Sequence, residues 1–112
     1  LLTDGVWTFE NIATDSEDPT VLRLTRFTKD LLTDATFTFT EDGSYVINSL
    51  LLGSPLTGNW SLSGDDTLLM NPDDENISTN SLDVLTKNRL EYSESFTDDN
   101  SNTNTTTTTW VR

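Results

Sequence analysis

The sequence has no cysteine and no histidine among its 112 residues. Without cysteine there is no disulfide framework and no thiolate nucleophile. Without histidine the chain lacks the commonest general base and metal ligand, and its many serines have no imidazole to activate them. We therefore predict that the protein is not an enzyme and that it uses no cofactor and no metal ion.

The carboxylates show no catalytic or metal-binding spacing. The cluster Asp73-Asp74-Glu75-Asn76 lacks the alternating aspartates of a calcium-binding loop. Glu91 and Glu94 are predicted on opposite faces of one strand, which disfavours shared acid–base work. We interpret the acidic residues of the longer loops as solubilising charge.

Positive charge is scarce, with 6 Lys+Arg against 19 Asp+Glu and a formal net charge of −13. Such a field repels nucleic acid and anionic membrane surfaces, so neither is an expected partner. No apolar run is long enough for membrane insertion, and the sequence identifies no protein partner. Because residue 1 is leucine, residues 1–112 are interpreted as one mature or excised domain.

Apolar and polar residues alternate in the segment TFTFTEDGSYVIN, at positions 36–48. A period of two residues predicts strands with one buried face. The Glu41-Asp42-Gly43 segment supplies a tight turn, because glycine accepts positive φ. The resulting register pairs Phe39 with Tyr45 and Phe37 with Ile47, so four large side chains point to one side.

Two further hairpins are predicted by the same pattern. In GNWSLSGDDTLLMN, at 58–71, a turn at 64–66 pairs Leu62 with Leu68 and Trp60 with Met70. A third hairpin turns at Lys87-Asn88, with two registers open. A two-residue turn pairs Leu85 with Leu90, and a bulged one pairs Val84 with Tyr92.

Eight strands are predicted in all, with tight and long connections alternating along the chain. The strands are Val6–Ile12, Thr36–Thr40, Ser44–Ile47, Gly58–Ser63, Thr67–Asn71, Ile77–Thr86, Arg89–Thr97 and Thr103–Arg112. In an up-and-down order, all tight turns lie at one end and all long loops at the other. We therefore predict an all-β, eight-stranded antiparallel up-and-down barrel, with a β-sandwich as the alternative.

The segment TVLRLTRFTKDLL, at 20–32, departs from the strand pattern. One sector of a helical wheel holds the apolar residues Val21, Leu24, Phe27, Leu31 and Leu32, and the opposite side holds the basic residues Arg23, Arg26 and Lys29. We predict a short amphipathic helix between strands 1 and 2, across the long-loop end of the barrel; a strand over Val21–Phe27 is the alternative. Leu50-Leu51-Leu52, in a loop at the same end, are expected to pack against this helix or to contact a partner or ligand.

Several blocks, in this order, resemble the bacterial lipocalin-like domain family of calycin-type β-barrels. They are GVW at 5–7, FTFTEDGSY at 37–45, GNWSLSGDDTLLM at 58–70, LDVLTKNRLEYS at 82–93 and WVR at 110–112. The resemblance implies a barrel open at one end, binding of a small apolar molecule, and export to the periplasm, the cell surface or the medium, often as a lipoprotein. It also implies that Trp7 plugs the closed end and that Arg112 packs across it, which agrees with both residues falling at the tight-turn end.

Candidate ligand-binding residues follow from the predicted inward faces near the long-loop end. Those on strands are Phe37, Ile47, Met70, Tyr92 and Phe96, with Phe27 and Leu31 of the helix above them. Arg23 and Arg26 are candidates for the anionic head of an amphipathic ligand such as a fatty acid, because arginine binds both carboxylate oxygens. Alternatively these cations pair with Asp73, Asp74, Asp98 or Asp99. The alternative function is a filled barrel with a structural or protein-interaction role.

Overall fold

The computed structural model describes residues 2–72, 78–97 and 101–112. The described chain forms eight strands and one helix: β1 (Trp7–Thr14), α1 (Pro19–Leu31), β2 (Thr36–Phe39), β3 (Ser44–Asn48), β4 (Leu56–Ser63), β5 (Thr67–Pro72), β6 (Ser78–Leu85), β7 (Arg89–Thr97) and β8 (Thr103–Val111). Each strand pairs antiparallel with the next, and β8 pairs with β1. The predicted up-and-down barrel is confirmed, and the sandwich alternative is excluded because the sheet closes on itself.

The registers of the first two hairpins are as predicted. Phe37 pairs with Ile47 and Phe39 with Tyr45 across β2 and β3. Across β4 and β5, Trp60 pairs with Met70 and Leu62 with Leu68. The alternation of side chains together with the glycine turns was sufficient to define both registers.

The third hairpin combines features of the two registers that the sequence left open. Leu85 pairs with Leu90, as a two-residue turn at Lys87-Asn88 requires. A bulge lies deeper in the hairpin, between Leu82 and Val84, so that Leu82 pairs with Tyr92. The predicted pairing of Val84 with Tyr92 is therefore wrong, because the extra residue lies on the far side of Val84 from the turn.

The helix α1 forms where the sequence predicted it. Asp18 caps its first turn by accepting a hydrogen bond from the Thr20 amide at 2.8 Å, and Pro19 fits the first helical position. The helix packs against β1, and the Ser49 hydroxyl donates to the Leu31 carbonyl oxygen at 2.5 Å.

The packed face of α1 differs from the predicted one. Leu24 and Phe27, expected to be covered, are each 60% exposed. The half-buried positions of α1 are 21, 25, 28 and 31, followed by the C-cap residue 32, so Val21, Leu31 and Leu32 of the predicted face are partly covered. The reason is that α1 lies beside β1 rather than over the barrel interior, so a side of the helix that includes threonines faces the protein. Leu50 and Leu51 are likewise uncovered, at 94% and 63% exposed.

The barrel core is concentrated at the tight-turn end, hereafter the closed end. The largest fully buried side chains are Trp7, Phe37, Phe39, Leu68, Leu90 and Trp110. Leu62, predicted as core, is instead 45% exposed. Its neighbour β3 pairs with β4 only as far as Asn59, so Leu62 projects beyond the β2–β3 hairpin and has no strand to cover it on that side.

Candidate ligand cavity

A cavity of about 340 Å³ lies inside the barrel at the long-loop end, between β5, β6, β7 and β8. Its described lining residues come from these four strands: Met70, Ser78, Asn80, Tyr92, Glu94, Phe96, Thr106 and Thr108. We call this space the cavity. Its lining combines two aromatic rings and a thioether with hydroxyl, amide and carboxylate groups.

Strand pairing explains why these side chains meet. Met70 pairs with Ser78, Tyr92 with Thr108, and Glu94 with Thr106, so each pair occupies one face of the sheet. Successive inward positions of β8 carry Thr106, Thr108 and then Trp110. The small threonines leave space that a tryptophan fills at the closed end. The threonine run of β8 therefore creates room inside the barrel.

Tyr92 forms the floor of the cavity. Its phenolic oxygen accepts a hydrogen bond from Trp110 Nε1 at 3.2 Å, and the ring is buried. Burial raises the pKa of Tyr92 to about 12, because the phenolate would lose its hydration; hydrogen bonds with Trp110 and Thr108 oppose the shift. Tyr92 is consequently a neutral group at physiological pH.

The polar wall of the cavity is a chain of hydrogen bonds. Asn80 Nδ2 donates to Ser78 Oγ at 3.1 Å, and Ser78 Oγ donates to Glu94 Oε2 at 2.5 Å. Asn80 is itself buried, and its Nδ2 also approaches the Leu68 carbonyl oxygen at 3.4 Å. These contacts orient the buried Asn80 side chain and connect it through Ser78 to the solvent-exposed Glu94.

Three of the sequence-predicted site residues are brought together here. Met70, Tyr92 and Phe96 all line the cavity. Phe37 lies elsewhere, fully buried, with its ring stacked 4.2 Å from that of Phe39 and edge-on to Trp110 at 5.0 Å. Ile47 packs against this same closed-end core.

The placement of Phe37 has a simple cause. β2 is only four residues long, and Phe37 pairs with Trp7, the first residue of β1. Because barrel strands are staggered and tilted, the start of β2 lies level with the closed end and not with the long-loop end. Phe37 is therefore part of the filled half of the barrel.

The predicted residues of α1 lie outside the cavity. Phe27 is largely exposed, and neither Leu31, Arg23 nor Arg26 is among the described lining residues. The proposed partners of the helix cations, residues 73, 74, 98 and 99, lie outside the described residues, as does the 73–76 cluster considered for calcium. The ion pairs seen in the described ranges join Arg89 to Glu10 and to Glu91.

Sequence reasoning missed the polar half of the cavity. Ser78, Asn80, Glu94, Thr106 and Thr108 were not proposed as site residues. A signal was present for Glu94, which lies between Tyr92 and Phe96 at the two-residue spacing of one strand face. Glu94 was not predicted as a site residue because only apolar and aromatic residues were considered on the strands.

The closed end is sealed as the resemblance implied. Trp7 is fully buried, and the Arg112 guanidinium carbon lies 3.8 Å from the centroid of its ring. Arg112 Nε also donates to the Lys87 carbonyl oxygen at 2.6 Å, and Trp7 Nε1 donates to the Leu2 carbonyl oxygen at 3.1 Å. Trp7 and Arg112 therefore close this end of the barrel.

Other hollows lie on the surface. One of about 330 Å³ is bordered by residues of the α1–β2 and β3–β4 connections, most of them exposed. Another, of about 590 Å³, lies beside Arg112 at the sealed end. We place the candidate site in the cavity because its walls include the buried residues Asn80, Tyr92 and Thr108. Across the described ranges, no three His, Cys, Asp or Glu side chains are grouped so as to hold a metal ion, and no helix is long and apolar enough to cross a membrane.

Comparison with known proteins agrees with this architecture. The crystal structure of a DUF4847 family protein from Bacteroides vulgatus is similar, with a TM-score of 0.58 and 15% sequence identity. The match covers 96% of this chain and 94% of that protein, and at this identity it supports the fold alone. No curated protein sequence is significantly similar to the chain.

A family model described as a lipocalin-like domain matches residues 3–92. This range extends from before β1 into β7, and so contains the Trp7 plug and the cavity floor at Tyr92. The chain therefore belongs to the lipocalin-like domain family.

Proposed function

We propose that this domain is a non-catalytic binding module that holds one small amphipathic molecule in the cavity at the open end of the barrel. The observation that carries the proposal is the division of the barrel interior. Aromatic side chains fill the closed half, whereas threonines, a serine and an asparagine border a space of about 340 Å³ in the other half. A volume near the lower end of the usual range for ligand pockets suits a molecule of one or two rings.

The lining favours an amphipathic ligand over a purely apolar one. Met70, Tyr92 and Phe96 offer apolar surface, which favours the body of a ligand by burial. Ser78, Asn80 and Glu94 lie next to these residues in the lining, and their polar groups need partners once water is displaced. A ligand that leaves them unpaired would be penalised.

Binding can be tested with a neutral probe, 1-naphthalenemethanol, followed by amide NMR on the isotopically labelled protein. Saturable shifts centred on Tyr92, Thr106 and Thr108 would support the proposal. Thr106→Phe should abolish these shifts because the added ring occupies the cavity.

Thr107→Phe is the matched control, since residue 107 lies on the opposite face of β8. This variant should bind the probe as the parent does. Absence of saturable binding to the parent, or equal loss in both variants, would contradict the proposal.

A second candidate function is a protein-interaction domain. It is favoured by the uncovered apolar side chains of Leu24, Phe27, Leu50 and Leu51. Exposed apolar residues of this size are typical of contact surfaces. If the probe fails to bind, sedimentation of the protein alone should distinguish self-association through this surface from a monomeric state.

We further propose that the domain acts outside the cytoplasm, at the cell surface, in the periplasm or in the medium. The support is membership of a family whose domains are often found there. Fractionation of cells that produce the native full-length protein would test this, and recovery of the protein only from the cytoplasm would contradict it.

A further inference from the structure

We infer that the cavity selects ligands that carry a protonated amine over neutral or acidic molecules of the same shape. This inference rests on the proposed function, because it concerns the chemical class of the ligand in the same cavity. It follows from the charges, the hydrogen-bond acceptors and the aromatic rings of the described lining.

The charged side chains of the protein are distributed unequally about the cavity. Glu94 is the charged residue in its described lining. Of the six cations in the sequence, Arg23, Arg26 and Lys29 lie on α1, and Lys87, Arg89 and Arg112 lie at or next to the turn at 87–88 and the end of β8. None of the six is among the described lining residues. Glu94 is exposed to solvent as well as lining the cavity, and a carboxylate ligand would meet its like charge there.

The hydrogen-bonding groups of the wall also favour a donor. Glu94 Oε2 accepts from Ser78, and the carboxylate has further lone pairs for a ligand. Within the described structure, each hydrogen bond of the Asn80 side chain is made through Nδ2, which leaves its carbonyl oxygen as an acceptor. An ammonium group carries three donors and no acceptor, and so complements these oxygens.

The rest of the cavity suits the remainder of such a ligand. Tyr92 and Phe96 provide aromatic faces that attract a nearby cation as well as burying apolar groups. The net charge of −13 adds a long-range field that concentrates cations at the protein surface. Glu94 is thus the counter-ion of a small aromatic or aliphatic amine whose body contacts Met70 and Phe96.

The experiment compares three naphthalene probes of nearly equal shape. They are 1-naphthylmethylamine, which is cationic at neutral pH, neutral 1-naphthalenemethanol and anionic 1-naphthoate. Affinities are measured by the NMR titration at low ionic strength. We expect the amine to bind about fivefold more tightly than the alcohol, and the carboxylate more weakly than both.

Glu94→Gln keeps the size of the side chain and removes its charge. It should remove the preference for the amine, so that the amine and the alcohol bind this variant with similar affinities. Glu91→Gln is the matched control, since it makes the same change in net charge at another position of β7, where Glu91 forms an ion pair with Arg89 outside the cavity. It should keep the preference for the amine.

The ionic-strength dependence of the parent protein gives an independent readout. Added salt should weaken amine binding and leave alcohol binding unaffected, because only the first contains an ion pair. Equal affinities for the three probes, or an amine preference that survives Glu94→Gln, would overturn the inference while leaving the proposed function intact. Failure of all three to bind would overturn the proposed function itself.

Discussion

The guanidinium of Arg112 lies over the indole ring of Trp7, with its Cζ atom 3.8 Å from the ring centroid. This contact joins the end of β8 to the start of β1 at the strand pair that closes the barrel. Arg112 also binds the β6–β7 turn through the Lys87 carbonyl oxygen. The Arg112 side chain therefore connects the end of β8 to the start of β1 and to the β6–β7 turn.

We expect Arg112→Ala to lower the free energy of unfolding by about 1–3 kcal/mol, because it removes a cation–π contact and a charged hydrogen bond. Arg112→Lys should recover only part of this loss, since an ammonium lacks the planar guanidinium. Urea denaturation measures both. Lys87→Ala is the control, because it retains the backbone carbonyl oxygen that Arg112 contacts; a loss as large as that of Arg112→Ala would contradict the assignment.

Phe37→Ala should destabilise the protein by about 3–5 kcal/mol, as expected for truncation of a fully buried phenylalanine. The substitution removes the stacking on Phe39 and the edge contact with Trp110. Thr38→Ala, on the opposite face of β2, should cost about 1 kcal/mol or less. Thermal or urea unfolding distinguishes the two. A small effect at Phe37 would mean that it faces empty space and not a packed core.

Tyr92 should make stability fall at alkaline pH. Its pKa is raised from 10.0 to about 12 in the folded protein, so the unfolded chain releases this proton first as the pH rises. Between these values the native state binds more protons than the unfolded state, and the free energy of unfolding decreases with pH. This shift in pKa corresponds to about 3 kcal/mol of the free energy of unfolding. That stability is present in full below pH 10 and is lost as the pH rises to 12.

This effect can be tested by comparing the Tyr92→Phe variant with the parent protein. Both are unfolded with urea at a series of pH values on both sides of pH 10. At neutral pH the variant should be less stable by about 1–3 kcal/mol, because Trp110 Nε1 loses its acceptor. Its stability should decline less steeply with alkaline pH than that of the parent. Parallel pH profiles would show that the phenol of Tyr92 ionises equally in both states.

Gly58→Ala should lower the free energy of unfolding by about 1–3 kcal/mol through steric overlap. A Cβ atom at this position would lie 2.6 Å from the Asn71 carbonyl oxygen and 2.7 Å from the ring of Tyr45. The glycine allows the Tyr45 ring to lie directly across β4. Gly5→Ala is the control, because its nearest neighbour would be Arg112 Cδ at 3.9 Å. Equal melting temperatures for the two variants would contradict this explanation.

The strands, their order and two hairpin registers could be predicted from the sequence. These features depend on neighbouring residues: alternation in β2 and β3 gives the buried face, and Gly43 permits the tight turn, with φ at 93°. The Trp7–Arg112 contact was also predictable, because an even number of up-and-down strands brings the first and last strand ends together. The helix was predicted from the spacing of its apolar and basic residues.

The depth of each side chain and the position of the empty space depend on how distant parts of the chain pack together. Phe37 was correctly paired with Ile47, yet the stagger of β2 against β1 places it beside Trp7 in the filled half. The exposed side of α1 depends on where the helix rests, which its own sequence does not specify. The cavity exists because Thr106 and Thr108 face residues from three other strands whose side chains do not fill the space between them. Local patterns define which face a residue occupies, whereas unfilled volume is a property of side chains that meet from distant parts of the chain.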